Sequence, residues 1–177
     1  MKIGYGMLAL LLASGVAQAQ ICRKGVAEHL FQQRGAQIVI DQRTGLQWQR
    51  CPIGQSGTQC EKGEAQRLNA HQAHDQVFVI NRHGLAGFKD WRLPTREELQ
   101  TLLSPSCVDP AIDLRAFPHT PPLWFWSASG EGDQYAAWYV DFKTGFVDQE
   151  DRNLPNAVRL VRGKLKPATR RKRSDAG

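Results

Sequence analysis

Outside its first residues the chain has no long apolar run, no CxxC pair and none of the short signatures that mark the common enzyme classes. Without a second stretch of ~18 apolar residues, no later segment is fit to be a transmembrane helix. Without CxxC, thioredoxin-type redox chemistry has no motif. The absence of G-x-S-x-G, a P-loop and H-E-x-x-H does the same for hydrolase and nucleotide-handling readings. Basic charge is scarce in the body of the sequence, although the formal net charge is +6. Seven cations lie from Arg162 onward against Asp175 alone; with these and Lys2 set aside, the remainder carries one net negative charge. The basic character is a tail, not a face.

At the start stand Met1-Lys2, an apolar run from Met7 to Val16, and Ala17-Gln18-Ala19. This order predicts a secretory signal peptide over residues 1–19, cut after Ala19. Cys22 follows Ile21, whereas a lipid-anchored protein needs a small residue there, so an unanchored, exported chain is expected, periplasmic or secreted. Taking 19 residues from 177 leaves 158, enough for one domain with a sizeable core.

Four cysteines survive that cut, and an even number in an exported chain predicts disulfides rather than a metal site. Three pairings are possible. Cys51–Cys60 is favoured because "CPIGQSGTQC" is a loop whose ends meet cheaply, which leaves Cys22–Cys107 as the long staple. Loop-closure reasoning assigns roughly 4–5 kcal/mol to the long loop and under ~3 to the short one.

Along the chain, "QIVIDQRTGLQW" (37–48) reads as a hairpin with a Thr44-Gly45 turn, burying Ile38, Ile40, Leu46 and Trp48. "EKGEAQRLNAHQAH" (61–74) has helix-forming residues, "DQVFVI" (75–80) extends as a strand, and "NRHGLAGFKD" is turn-rich and exposed. In "DWRLPTREELQTLL", Thr95 and Glu98 form a T-x-x-E capping box, and Pro94 holds Leu93 extended. The result is a sharp extended-to-helix corner, with Leu99, Leu102 and Leu103 on one helical face. Glu98 is explained by capping, Glu97 by the helix dipole and Arg92 by pairing with a carboxylate, so the corner reads as architecture.

From Leu123 the period changes to two. "LWFWSAS", "YAAWYVDF", a Lys143-Thr144-Gly145 turn, "FVDQ" and "NAVRLVR" predict short antiparallel strands, with Ala136, Trp138, Val140 and Phe142 as an apolar row and Tyr135, Tyr139 and Asp141 opposite. Two helices and a small twisted antiparallel sheet make an α+β domain over residues 20–163. Residues 164–177 have too few apolar side chains to fold and are expected to be a disordered basic tail.

The motifs "TGLQW", "DWRLPTREEL", "FWSAS", "AAWYVDFKTGFV" and "AVRLVRG", in this order, resemble the Lcl C-terminal-like domain family, named for the carboxyl-terminal domain of the Legionella collagen-like adhesin. The match runs from about Gln37 to Gly163. The resemblance implies a C-type-lectin-like fold, shared with formylglycine-generating enzymes, whose "RLPT" and Glu helix start are similar. It also implies an adhesion role: the adhesin's domain is associated with sulfated glycosaminoglycans. This chain has no collagen-like region, so a trimer does not carry over. It also has no cysteine after Cys107, where the oxidases need a reactive pair, and the expectation is a protein that is not an enzyme.

Calcium-dependent lectins use Glu-Pro-Asn or Gln-Pro-Asp; here Leu154-Pro155-Asn156 stands without the acid. Asp148, Glu150 and Asp151 offer hard oxygen ligands to calcium, though a solvated hairpin is the favoured reading and no cofactor is expected. His71, His74 and Asp75 have metal-compatible helical spacing but read as solvated positions. Trp48, Trp91, Trp126 and Trp138 are assigned to the core, and Trp124, two residues after Pro122, is the candidate exposed platform. Lys164, Lys166, Arg170, Arg171, Lys172 and Arg173 are the candidate ligand-binding cations, suited to phosphate or sulfate on an anionic polysaccharide or other polyanion. A second possibility is an assembly component held to surface proteins by protein contacts alone.

Overall fold

The computed structural model describes residues 20–23, 30–130 and 134–165. The expected leader over 1–19, and Lys166, Arg170, Arg171, Lys172 and Arg173, lie outside the described residues. The elements are β1 (Ile21–Cys22), β2 (Phe31–Arg34), β3 (Ile38–Asp41), β4 (Gln47–Gln49), α1 (Ala70–His83), α2 (Arg96–Gln100), β5 (Cys107–Val108), β6 (Trp124–Trp126), β7 (Ala136–Asp141), β8 (Val147–Asp151) and β9 (Val161–Arg162). The domain is α+β, but the expected single sheet is divided among the described residues into three: β1-β5, β2-β3-β4-β9 and β6-β7-β8. All of their strand pairs are antiparallel.

Two hairpins use the same five-residue turn, Asp-x-x-Thr-Gly. In Asp41–Gly45 and Asp141–Gly145 the glycine N–H donates to the aspartate carbonyl at 2.7 Å in both. The aspartate carboxylate accepts from the N–H two residues on, Arg43 at 2.9 Å and Lys143 at 2.7 Å. Gly45 and Gly145 have φ of +75° and +88°, a region that a side chain makes costly. The turn thus closes on its own polar groups and sets the register of β3 on β4 and of β7 on β8.

The helix lies elsewhere than expected. Residues 61–69 form a loop and α1 begins at Ala70, so "DQVFVI" is helical rather than a strand. Asn69 and Gln72 make a reciprocal capping box, with bonds of 2.8 and 3.0 Å, and Gly84 ends the helix. Ala70, Ala73, Val77 and Ile80 form the inward stripe, leaving Phe78 and Val79 exposed. Asn81 then clamps the next segment, donating to the Trp91 carbonyl at 2.7 Å and accepting from the Trp91 N–H at 2.9 Å. The following turn is also less exposed than expected: Leu85, Ala86 and Phe88 pack on the core.

The Pro94 corner and its capping box are as read, but α2 ends at Gln100, so Leu102 and Leu103 lie past the helix rather than on its face. Thr95 accepts from the Glu98 N–H, and Glu98 returns the bond at 2.9 Å. The partner of Arg92 is Glu98 itself, through two bonds of 2.6 and 2.7 Å. Leu99 and Leu102 are buried and Leu103 is half-buried.

Two apolar clusters fill the interior. One joins α1 to Trp91, Leu93, Trp126, Tyr139, Val158 and Leu160. The other joins Val39 and Trp48 to Leu99, Leu102, Phe117, Phe125, Val140 and Phe142. Because β7 lies between coverings on both faces, Tyr139 is buried along with the opposite row, while Trp138 is only half-buried beneath the Arg96 guanidinium, 4.2 Å from its ring. Trp48, Trp91 and Trp126 are core, as expected.

Arg159 is fully buried with no carboxylate beside it. It donates to the carbonyls of Gln49 (2.8 Å) and Arg50 and to Thr120 Oγ1 (2.7 Å), and its guanidinium lies 4.8 Å from the Phe117 ring. Burial pushes its pKa down to about 9, so the group stays charged at neutral pH and its charge is met by dipoles and ring faces.

Both expected disulfides are present, Cys51–Cys60 and Cys22–Cys107, separated by 9 and 85 residues. The second ties β1, only two residues long, to β5. Replacing Cys22 and Cys107 together by serine is expected to cost about 4–5 kcal/mol in urea unfolding. An unchanged midpoint would mean that the long loop is already closed without the bond.

Candidate anion-binding groove

Beside this staple lies a groove of about 680 Å³, with Leu30, Phe31, Leu102 and Leu114 among its apolar lining and Arg23, Arg43, Asp113 and Arg115 as its charged residues. Each cation arrives by a different route. Arg23 follows Cys22, and its N–H donates to the Ser106 carbonyl at 2.8 Å, so the disulfide and the β1-β5 pairing deliver it. Arg43 stands on the Asp41–Gly45 turn and donates to the Thr101 carbonyl at 2.7 Å. Arg115 is gripped by Asp113 through bonds of 3.0 and 2.9 Å, which raise its pKa. Burial pushes the Asp113 carboxyl up, but the bonds from Arg115 outweigh it and hold that carboxyl below the usual range. Arg115 is therefore neutralised locally and Arg43 lies 3.5 Å from the Asp41 carboxylate, while Arg23 shares the groove lining with the hydroxyl-bearing Thr101, Ser104 and Ser106.

The basic segment starts at the same end. Arg162 pairs with Gln47, so Gly163 follows beside the hairpin whose turn carries Arg43, and its carbonyl accepts from Arg92 at 2.8 Å. Lys164 follows, exposed. Arg162 is already engaged by Asp90 (2.7 and 3.1 Å) and by the Gln47 side chain, so the cations available for a ligand begin at Lys164.

Trp124 is placed away from this groove, on β6, 38% exposed and stacked on Tyr139 at 4.3 Å. Asp148 and Glu150 share the Tyr139 face of β8, and Asp151 points to the opposite one. Strand alternation thus divides the three acids considered for calcium, and among the described residues no three His, Cys, Asp or Glu side chains converge. His71 and Asp75 form an exposed pair at 3.9 Å.

The sequence reading missed the groove because Arg23, Arg43 and Arg115 lie far apart along the chain. One signal was present: pairing Cys22 with Cys107 places Arg23 against the segment after α2. No curated protein matches the chain. The Lcl C-terminal domain family matches residues 37–162, a span that includes Arg43, Asp113 and Arg115 of the groove, the Pro94 corner and both Asp-x-x-Thr-Gly turns. The chain belongs to the Lcl C-terminal domain family.

Proposed function

We propose that the chain is an exported, non-catalytic binding and adhesion module of C-type-lectin-like fold, acting in the periplasm or outside the cell on an anionic glycan or other envelope polymer. The carrying observation is the shared hairpin: Arg43 lines the groove from the Asp41–Gly45 turn, and Arg162, just before the basic segment, pairs with Gln47 of the strand that follows that turn. The groove and the segment that follows Gly163 both supply cations suited to sulfates or phosphates through charge-assisted bonds. Two closed disulfides fit an oxidising compartment and leave an oxidase no free thiol pair, which favours binding over catalysis. The pairing of the last strand, β9, with β4 beside the first hairpin supports the lectin-like reading.

The test is binding of the full chain to a sulfated polysaccharide at several salt concentrations. Affinity is expected to fall steeply with salt, by about tenfold on changing Arg170, Arg171, Lys172 and Arg173 to glutamine, and by about threefold on Arg43→Gln. Salt-independent binding indifferent to both changes would point instead to an assembly role through protein contacts.

A further inference from the structure

We propose that the Cys22–Cys107 disulfide is a reducible latch on the groove: a dithiol reductant opens it selectively, frees the strand that carries Arg23 and so lowers the groove's affinity for a polyanion. This inference rests on the binding role proposed for the groove and adds a regulation to it. The two disulfides differ in access. Cys51 and Cys60 are buried, whereas Cys22 is exposed, Cys107 is half-buried and both line the groove. Exchange requires a thiolate to reach one sulfur of the bond, so an attacking thiol meets the groove pair first.

The groove also prepares the chemistry. The Ser106 hydroxyl lies 3.9 Å from Cys107 Sγ, where it can donate to a departing thiolate, and Arg23, Arg43 and Arg115 line the same space, where positive charge favours thiolate over thiol. A thiolate of the reductant attacks Cys22 Sγ, the S–S bond breaks, and Cys107 departs with the electron pair. The second thiolate of the reductant then attacks its own partner sulfur in the mixed disulfide and releases Cys22. Two electrons and two protons pass to the protein, which now holds two thiols, and the reductant leaves as a cyclic disulfide.

What the latch holds is small. β1 is two residues long and, among the described residues, pairs with β5 alone, Ile21 with Val108 and Cys22 with Cys107. Its other ties are the Arg23 N–H to the Ser106 carbonyl at 2.8 Å and the Gln20 side-chain amide to the carbonyls of Pro110 and Ile112 at 2.7 and 2.5 Å. Ile21 is exposed, so the strand buries little apolar surface. A few water-accessible hydrogen bonds return less than the entropy of ordering four residues, and without the covalent tie the segment opens locally. Arg23 leaves with it. Among the described residues Arg23 makes no ion pair, while Arg43 lies beside Asp41 and Arg115 beside Asp113, so opening removes the groove cation with the most charge to offer. Linkage makes the effect reciprocal: a bound polyanion holds the segment closed and opposes reduction.

The test treats the full chain with dithiothreitol under native conditions, caps free thiols with iodoacetamide and locates the caps by peptide mass spectrometry. Capping of Cys22 and Cys107 is expected while Cys51 and Cys60 stay joined, with the dispersed amide NMR spectrum of the folded domain retained. Binding of dextran sulfate is expected to weaken about fivefold in the capped form and about threefold in Arg23→Gln with both disulfides closed, and saturating dextran sulfate to slow capping about fivefold. Equal capping of all four cysteines overturns the proposal, as does collapse of the amide spectrum when the groove bond alone is opened. An affinity unchanged by reduction, or by Arg23→Gln, overturns it too and leaves the proposed function standing. Failure of dextran sulfate to bind the oxidised chain would remove both.

Discussion

Arg159→Ala is expected to lower the stability of the domain by about 5–7 kcal/mol, a large part of the ~5–15 kcal/mol typical of domains. The side chain is fully enclosed between the β4-β9 end of one sheet and the Phe117 and Phe125 rings. Its removal leaves a cavity worth roughly 2–4 kcal/mol, with the carbonyls of Gln49 and Arg50 and the Thr120 hydroxyl losing their donor at roughly 1 kcal/mol or more each. Arg159→Met separates the two contributions. It refills most of the space without the donors and is expected to cost about 2–3 kcal/mol, since no opposite charge is left stranded. The measurement is the urea midpoint, and an alanine variant within ~1 kcal/mol of the parent would show that water replaces the guanidinium without loss.

Glu98→Ala carries the second large effect, about 2–4 kcal/mol. Glu98 is 4% exposed and does two jobs: it caps the Thr95 N–H and takes both arms of Arg92. Loss of the cap costs about 1 kcal/mol. Stranding Arg92 costs less than for a fully enclosed pair, because its side chain is 38% exposed and water reaches it. Glu98→Gln retains the cap and one bond to Arg92 and is expected to recover about half. If the glutamine and alanine variants melt together, the cap contributes nothing.

The difference between these positions describes what was legible in the sequence. The Thr95–Glu98 box is local, with donor and acceptor three residues apart beside a proline, and it was read correctly. The Cys51–Cys60 loop and the Asp41–Gly45 turn were readable for the same reason. The first helix was misplaced because "VFVI" carries β-branched residues in a run too short to tell a strand from one face of a helix. What decides it is Asn69 at one end and the grip of Asn81 on Trp91 at the other. Arg159 stands among apolar neighbours in "NAVRLVR", but its total burial depends on Phe117 and Thr120, about 40 residues away in sequence. The groove was invisible because four separate segments build it, while the tail, a local run of charge, stood out at once.

The four-stranded sheet runs β2-β3-β4-β9, so its last member is drawn from residues 161–162. A chain emerging amino end first can close the small Cys51 loop and form the early hairpins, but it holds an incomplete edge at β4 until residues 161–162 have been delivered. The larger sheet therefore seals only when that last strand arrives.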